Sequence, residues 1–220
     1  VRDWDHDLGP DRPRLLVSAR GGGLEDVLAG AGGAAGSGAD RVVLRDLTGH
    51  VGGALPGDSS WTLTADGATA ITAWNVSEAR ADHRVALVAV DVATGERRTL
   101  LDDPDFDHTS PVAAPAGTRV ACLRWRRATP SQSMDVDVVV VDADGSESFV
   151  LAVSAEWDRW PASLVWAPDG GSLLVTADEG GRCPVFRVTV RPLSAEVERL
   201  TPDDGAYSDV VPSPDGAWVY

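Results

Sequence analysis

The chain has 220 residues and a formal net charge of −15 at pH 7, with a sequence pI near 4.5. That surplus of carboxylates argues against nucleic acid or anionic membranes as partners, and no apolar run approaches the ~20 residues of a membrane span. All 19 basic residues are arginine, a bias that GC-rich coding explains without appeal to stability.

Taken in chain order, one segment type keeps returning. LGPDRPRLLV (Leu8 to Val17) is followed by LTADGATAIT (Leu63 to Thr72), AAPAGTRVAC (Ala113 to Cys122), WAPDGGSLLV (Trp166 to Val175) and PSPDGAWVY (Pro212 to Tyr220). Their third positions, Pro10, Ala65, Pro115, Pro168 and Pro214, lie 46 to 55 residues apart. A strand-rich unit repeating at about 40–50 residues is the mark of a propeller blade. The predicted fold is all-β: a β-propeller over residues 1–220 of about four four-stranded blades plus the start of a fifth, with repeats starting near 8, 63, 113, 166 and 212.

Each repeat follows one plan. A short apolar strand meets a turn in which proline presets φ and glycine accepts a positive φ, and a second strand follows. In the first repeat the Gly/Ala-rich stretch Arg20 to Asp40 comes next. It cannot bury enough apolar surface to order itself and reads as a flexible loop; within it LEDVLAGA (Leu24 to Ala31) is the only helix candidate. RVVLRDLTGHVGGAL (Arg41 to Leu55) then predicts strand, turn at Thr48-Gly49, strand. VALVAVDVATGERRTLL (Val85 to Leu101) and DVDVVVVDADGSESFVL (Asp135 to Leu151) predict hairpins at Thr94-Gly95 and Asp144-Gly145. In the fourth repeat PVFRVTV (Pro184 to Val190) alternates with period two, and EVERLT (Glu196 to Thr201) forms the rim strand. The chain starts inside one blade and stops inside another, so the expectation is part of a larger propeller protein.

This register sorts the loops. First-to-second and third-to-fourth turns fall on one face, here the first face. Second-to-third loops and blade-to-blade connections fall on the other, the second face. Arg124 to Met134, Asp102 to Thr109, Glu156 to Trp160 and Asp178 to Arg182 carry most of the chemical variety and belong to the second face, where function is expected.

Known catalytic motifs are missing from the sequence: it holds no G-x-S-x-G elbow, H-E-x-x-H, C-x-x-C or Walker pattern, and its four histidines are scattered. No catalytic residue, metal ligand or cofactor is assigned. DDPDFDH (Asp102 to His108) reads as a solvated acidic loop, with a metal site as the alternative; calcium-loop spacing is absent. Arg124, Arg126 and Arg127 read as arginines paired with nearby aspartates, or as a fork for a peptide carbonyl or carboxylate. Asp178 and Glu179 read as exposed acids or as receivers of a substrate ammonium. Trp157 and Trp160 read as wedges between blades or as platforms for a ligand. Cys122 and Cys183 read as free thiols of a cytoplasmic protein, with an inter-blade disulfide as the alternative.

DRWPASLVWAPDGGSLLVTADEGGRCPVFRVTV (Asp158 to Val190), ERLTPDDGAYSDVVPSPDGAWVY (Glu198 to Tyr220) and WDHDLGPDRPRLLV (Trp4 to Val17) together resemble the propeller of the prolyl oligopeptidase family of serine peptidases, above all its bacterial acylaminoacyl-peptidase-like members. The P-D-G turns are shared with TolB-like propellers, and the stretch around ADEGGRCPVFRV discriminates better. The resemblance implies a propeller of about seven blades. It caps an α/β-hydrolase domain of the same polypeptide and limits access to oligopeptide substrates. That hydrolase domain, with its Ser, Asp and His, is absent from this sequence, so no triad residue carries over. The competing readings are a TolB-like binding scaffold, which a secretion signal would favour, and a lyase- or lactonase-type propeller needing metal ligands on its axis.

Overall fold

The computed structural model describes residues 12–18, 44–57, 60–151, 157–192, 195–202 and 204–220. The Gly/Ala-rich segment, the Leu24 to Ala31 helix candidate, Trp4 to Asp11 and Glu156 lie outside these residues. Among those described, the only helical element is a 3-10 turn at Ala79–Ala81.

Four successive sheets form from antiparallel neighbours in chain order. β1 (Leu16–Ser18) pairs with β2 (Leu44–Asp46). The second sheet runs β3 (Trp61–Leu63), β4 (Thr69–Ser77), β5 (His83–Asp91), β6 (Arg97–Leu101). The third runs β7 (Phe106–Ala113), β8 (Arg119–Arg126), β9 (Asp135–Asp142), β10 (Ser148–Val150), and the fourth β11 (Pro161–Trp166), β12 (Ser172–Ala177), β13 (Val185–Thr189), β14 (Val197–Arg199). A last hairpin links Val211 to Tyr220 by reciprocal backbone bonds of 3.0 and 2.9 Å. This is the meander of propeller blades, with the fifth repeat begun.

The middle strands explain the stacking. Along β8, Val120 and Cys122 pack with Ile71, Leu87 and Ala89 of the preceding blade. Ala121 and Leu123 pack instead with Leu164, Trp166, Leu173 and Val175 of the following one. Alternate side chains point to opposite faces, so a run of successive apolar positions such as Val120 to Leu123 must be covered on both sides. All six residues of β12 are buried for the same reason. Burial also pushes the Cys122 thiol up to about 12, which keeps it protonated and inert. Cys122 and Cys183 are both free thiols.

The repeated turns are held by their own side chains. Thr64 Oγ1 donates to Asp66 Oδ1 at 2.6 Å, and the same carboxylate oxygen accepts the Ala68 amide at 3.0 Å. Ser213, Asp215 and Ala217 repeat this at 2.5 and 3.0 Å. At Gly117, φ is +70° and a Cβ would lie 3.2 Å from the Ala65 amide nitrogen, so the third repeat's turn needs glycine to settle against the second's. Arginines stitch this face: Arg98 donates to the Ala143 carbonyl at 2.6 Å and Arg119 to that of Gly170 at 3.0 Å.

Two local expectations are corrected. Beyond β2 the chain makes turns rather than a fourth strand among the described residues. Asp46 Oδ1 accepts the Thr48 amide at 2.8 Å, Leu47 and Thr48 are buried, and Gly49, Gly52 and Gly53 favour the bends. The acidic stretch Asp102 to His108 is loop only in its first half, because Phe106, Asp107 and His108 belong to β7.

Leu173 is fully buried between the third and fourth blades. Leu173→Ala is expected to cost about 2–5 kcal/mol through lost burial and a residual cavity. Urea unfolding of the two proteins measures it, and a cost under about 1 kcal/mol would contradict this packing.

Candidate functional site

The second face is built from the loops that leave β4, β6, β8 and β12 and from the connection between the third and fourth blades. Arg127, just past the end of β8, ties three of these loops together. Its guanidinium donates to Glu78 at 3.0 Å, Asp82 at 3.0 Å, and the Pro104 and His83 carbonyls at 3.0 and 3.2 Å. Its backbone amide donates to the Asp105 carbonyl at 2.9 Å. Glu78 also accepts from Arg84 at 3.2 Å, and Arg84 forks onto Asp102 at 2.6 and 3.0 Å. Two parallel N–H bonds per carboxylate fix geometry as well as charge. The Arg84 fork holds Asp102 below the usual carboxylate range.

Arg124 and Arg126 sit on β8 itself rather than in the loop. Each meets its cross-strand partner on β9: Arg124 donates to Asp137 at 2.7 Å and Arg126 to Asp135 at 2.6 Å. The Arg124 guanidinium also lies 4.2 Å from the centre of the Phe106 ring, a cation–π placement. Glu179 is held on one oxygen by Arg159 and on the other by Arg199 at 2.7 Å, and the Arg159 bonds lower its pKa first. Asp178 beside it is exposed. Trp157 packs against the core shared by the third and fourth blades and meets Phe186 edge-on at 5.5 Å. Trp160 meets Trp125 edge-on at 6.1 Å and stays 44% exposed.

The structure therefore brings Arg124, Arg126 and Arg127 together on one blade edge. Trp160 joins them through Trp125, while Asp178 and Glu179 belong to the next blade. Between the second and third blades lies an open groove of about 500 Å³, lined by Val85, Asp107, Thr109, Trp125, Arg126, Arg127 and Met134. Val85, Asp107, Thr109, Trp125 and Met134 were not singled out from sequence. They become neighbours only through the pairing of Asp107 with Trp125 and the approach of β5. A tryptophan within the R-W-R-R run and a methionine at the end of the loop that follows it were the available signal. Among the described residues no group of three or more His, Cys, Asp or Glu is placed to hold a metal ion, and no helix is long and apolar enough to cross a membrane.

His108 lies under this face, only 3% exposed, with Nδ1 lacking a hydrogen-bond partner. Burial is the main cause that lowers its pKa, and Arg124 adds to it. Contact with the Val85 backbone, Asp103 and Asp107 opposes it. The folded chain keeps the ring neutral, whereas the unfolded chain takes up a proton as pH falls through the ordinary value near 6.5. The contribution of His108 to stability is therefore full above that value and declines below it.

Two outcomes are expected. Melting temperature should fall between about pH 7.5 and 5.5, and His108→Gln should flatten that slope; an unchanged slope would show that His108 is not its source. Arg127→Ala should lower the melting temperature by a few degrees and raise hydrogen exchange in residues 78–84 and 102–106. The loss should shrink in about 0.5 M salt, where the exposed part of the ion pairing is screened.

No protein-family model matches the chain. It is 31% identical over 111 residues to dipeptidyl-peptidase 5 of Aspergillus fumigatus, a match that takes in 50% of this chain and 15% of that protein. The chain thus spans a small fraction of the length of the curated relatives it matches. Among solved structures it superposes on TolB from Acinetobacter baumannii with a TM-score of 0.53 at 20% identity, covering 81% of this chain and 42% of TolB. A puromycin-hydrolyzing peptidase of Mycobacterium tuberculosis gives a TM-score of 0.53 at 19% identity, over 74% of this chain and 28% of that one. At these identities the structural likeness speaks for the fold, and the sequence match speaks for descent. The chain is a β-propeller portion related in sequence to part of a peptidase.

Proposed function

We propose that this chain is the non-catalytic propeller part of a serine peptidase of the prolyl oligopeptidase type, of an acylaminoacyl-peptidase-like kind. In this reading it works with an α/β-hydrolase domain of the same polypeptide and gates the access of short peptides to it. The observation that carries the reading is the 31% identity to dipeptidyl-peptidase 5 over 111 residues of propeller sequence. The second face, with its paired arginines and its groove, is the side turned towards the peptide. No cofactor takes part, and the two unpaired thiols suit a reducing cytoplasm.

A pure binding scaffold is the second reading, favoured by the TolB superposition over 81% of the chain. The two diverge in the full-length protein. The peptidase reading expects covalent labelling by a serine-directed fluorophosphonate and cleavage of dipeptidyl or acylaminoacyl chromogenic substrates, with folded proteins left intact. A full-length protein that is neither labelled nor active on any short peptide would leave the scaffold reading standing.

A further inference from the structure

The groove between the second and third blades combines an apolar floor with unused hydrogen-bonding groups of both polarities. Trp125 spends no polar atom on the groove, because its indole N–H donates to Thr109 Oγ1 at 3.0 Å. Its ring packs in part against Trp160 and the core of the third and fourth blades, and lines the groove with Val85 and the 43% exposed Met134 as apolar surface. Asp107 accepts the Val85 amide through Oδ1 at 2.7 Å, and its Oδ2 carries no hydrogen bond among the described residues. Arg126 reaches Asp135 through Nη2 at 2.6 Å, and its Nη1 likewise carries none among them. Thr109 accepts from Trp125 and keeps its own hydroxyl proton to donate.

We infer that this groove is a side-chain subsite for a peptide bearing a bulky apolar residue, an inference that rests on the peptidase reading above. A peptide unit offers one N–H donor and one carbonyl acceptor. The carboxylate of Asp107 complements the first, and the Arg126 guanidinium with the Thr109 hydroxyl complements the second. The large side chain between them covers Trp125, Val85 and Met134. The opposite charges of Asp107 and Arg126 suit the peptide dipole and disfavour a ligand of one sign. At about 500 Å³ the groove has room for an aromatic side chain and its backbone.

The test titrates the full-length protein with the tripeptides Ala-Phe-Ala and Ala-Gly-Ala, following tryptophan fluorescence, and separately measures hydrolysis of both. The Phe peptide is expected to bind about tenfold more tightly, as burial of most of an apolar side chain requires. Met134→Glu, which alters an exposed rim residue, is expected to erase that preference with the melting temperature unchanged. Equal binding of the two peptides, or a preference that survives Met134→Glu, overturns the subsite. Hydrolysis without a Phe preference overturns the subsite and leaves the peptidase reading intact. A Phe preference lost in Met134→Glu, without hydrolysis of any peptide, supports the groove and counts against the peptidase reading.

Discussion

The third blade depends on both its neighbours because the middle of β8 is apolar on both faces. Val120 and Cys122 look towards the second blade while Ala121 and Leu123 look towards the fourth. Exposing either side to water would forfeit roughly 25 cal/mol for each Å² of apolar area. Sheet stacking is therefore a condition of folding for these strands. It also sends polar chemistry elsewhere: charged side chains are left to the strand ends, the turns and the rim strands, such as β6 and β14, whose residues are largely exposed.

The two ends of the strands use that freedom differently. On the first face related contacts recur: Asp-Gly turns closed by a hydroxyl in the second and fifth repeats, and arginines that reach a turn carbonyl of the following blade. On the second face the contacts are particular to each loop. Arg127 gathers the segments around Glu78 and Pro104, and Glu179 gathers Arg159 and Arg199. A bulge in β7, with Ser110 at a φ of +52°, shifts the pairing between Thr109 and Val112. Bulges bend a strand and re-aim its side chains, and Thr109 and Asp107 enter the groove on the outer side of this one. The inner strand is thus regular where it supports the stack and irregular where it meets the loops.

How much of this was legible follows from the range over which each interaction acts. The turns are local, so Asp66, Gly67, Asp169 and Gly170 announced the repeat, and the runs Leu173 to Val175 and Val138 to Val141 announced strands, whose burial on both sides the structure adds. Pairing of Arg124 and Arg126 with aspartates was readable as a type of contact, but the partners Asp137 and Asp135 depend on the β8–β9 register. His108 hid inside an acidic stretch that looks solvated. Its burial comes from β7 lying against the second blade, which no local pattern encodes. Asp46 misled in the other direction: its capture of the Thr48 amide turns a sequence with strand and hairpin signals into a run of bends.

Charge was the least transferable signal. A net charge of −15 suggests a surface that attracts cations, yet on the second face most acids around the groove are engaged by arginines: Glu78 and Asp82 by Arg127, Asp102 by Arg84, Asp135 and Asp137 by Arg126 and Arg124, while Asp107 in the groove itself accepts the Val85 amide. Pairs this close cancel one another's field within a few ångströms, and salt screens what remains beyond about 8–10 Å. What is left for discrimination near the groove is shape and apolar contact, with the few unpaired hydrogen-bonding atoms setting orientation. The arginine pairing does not itself recognise a ligand; it holds separate loops in fixed positions, so that Trp125, Met134 and Val85 present one continuous apolar surface.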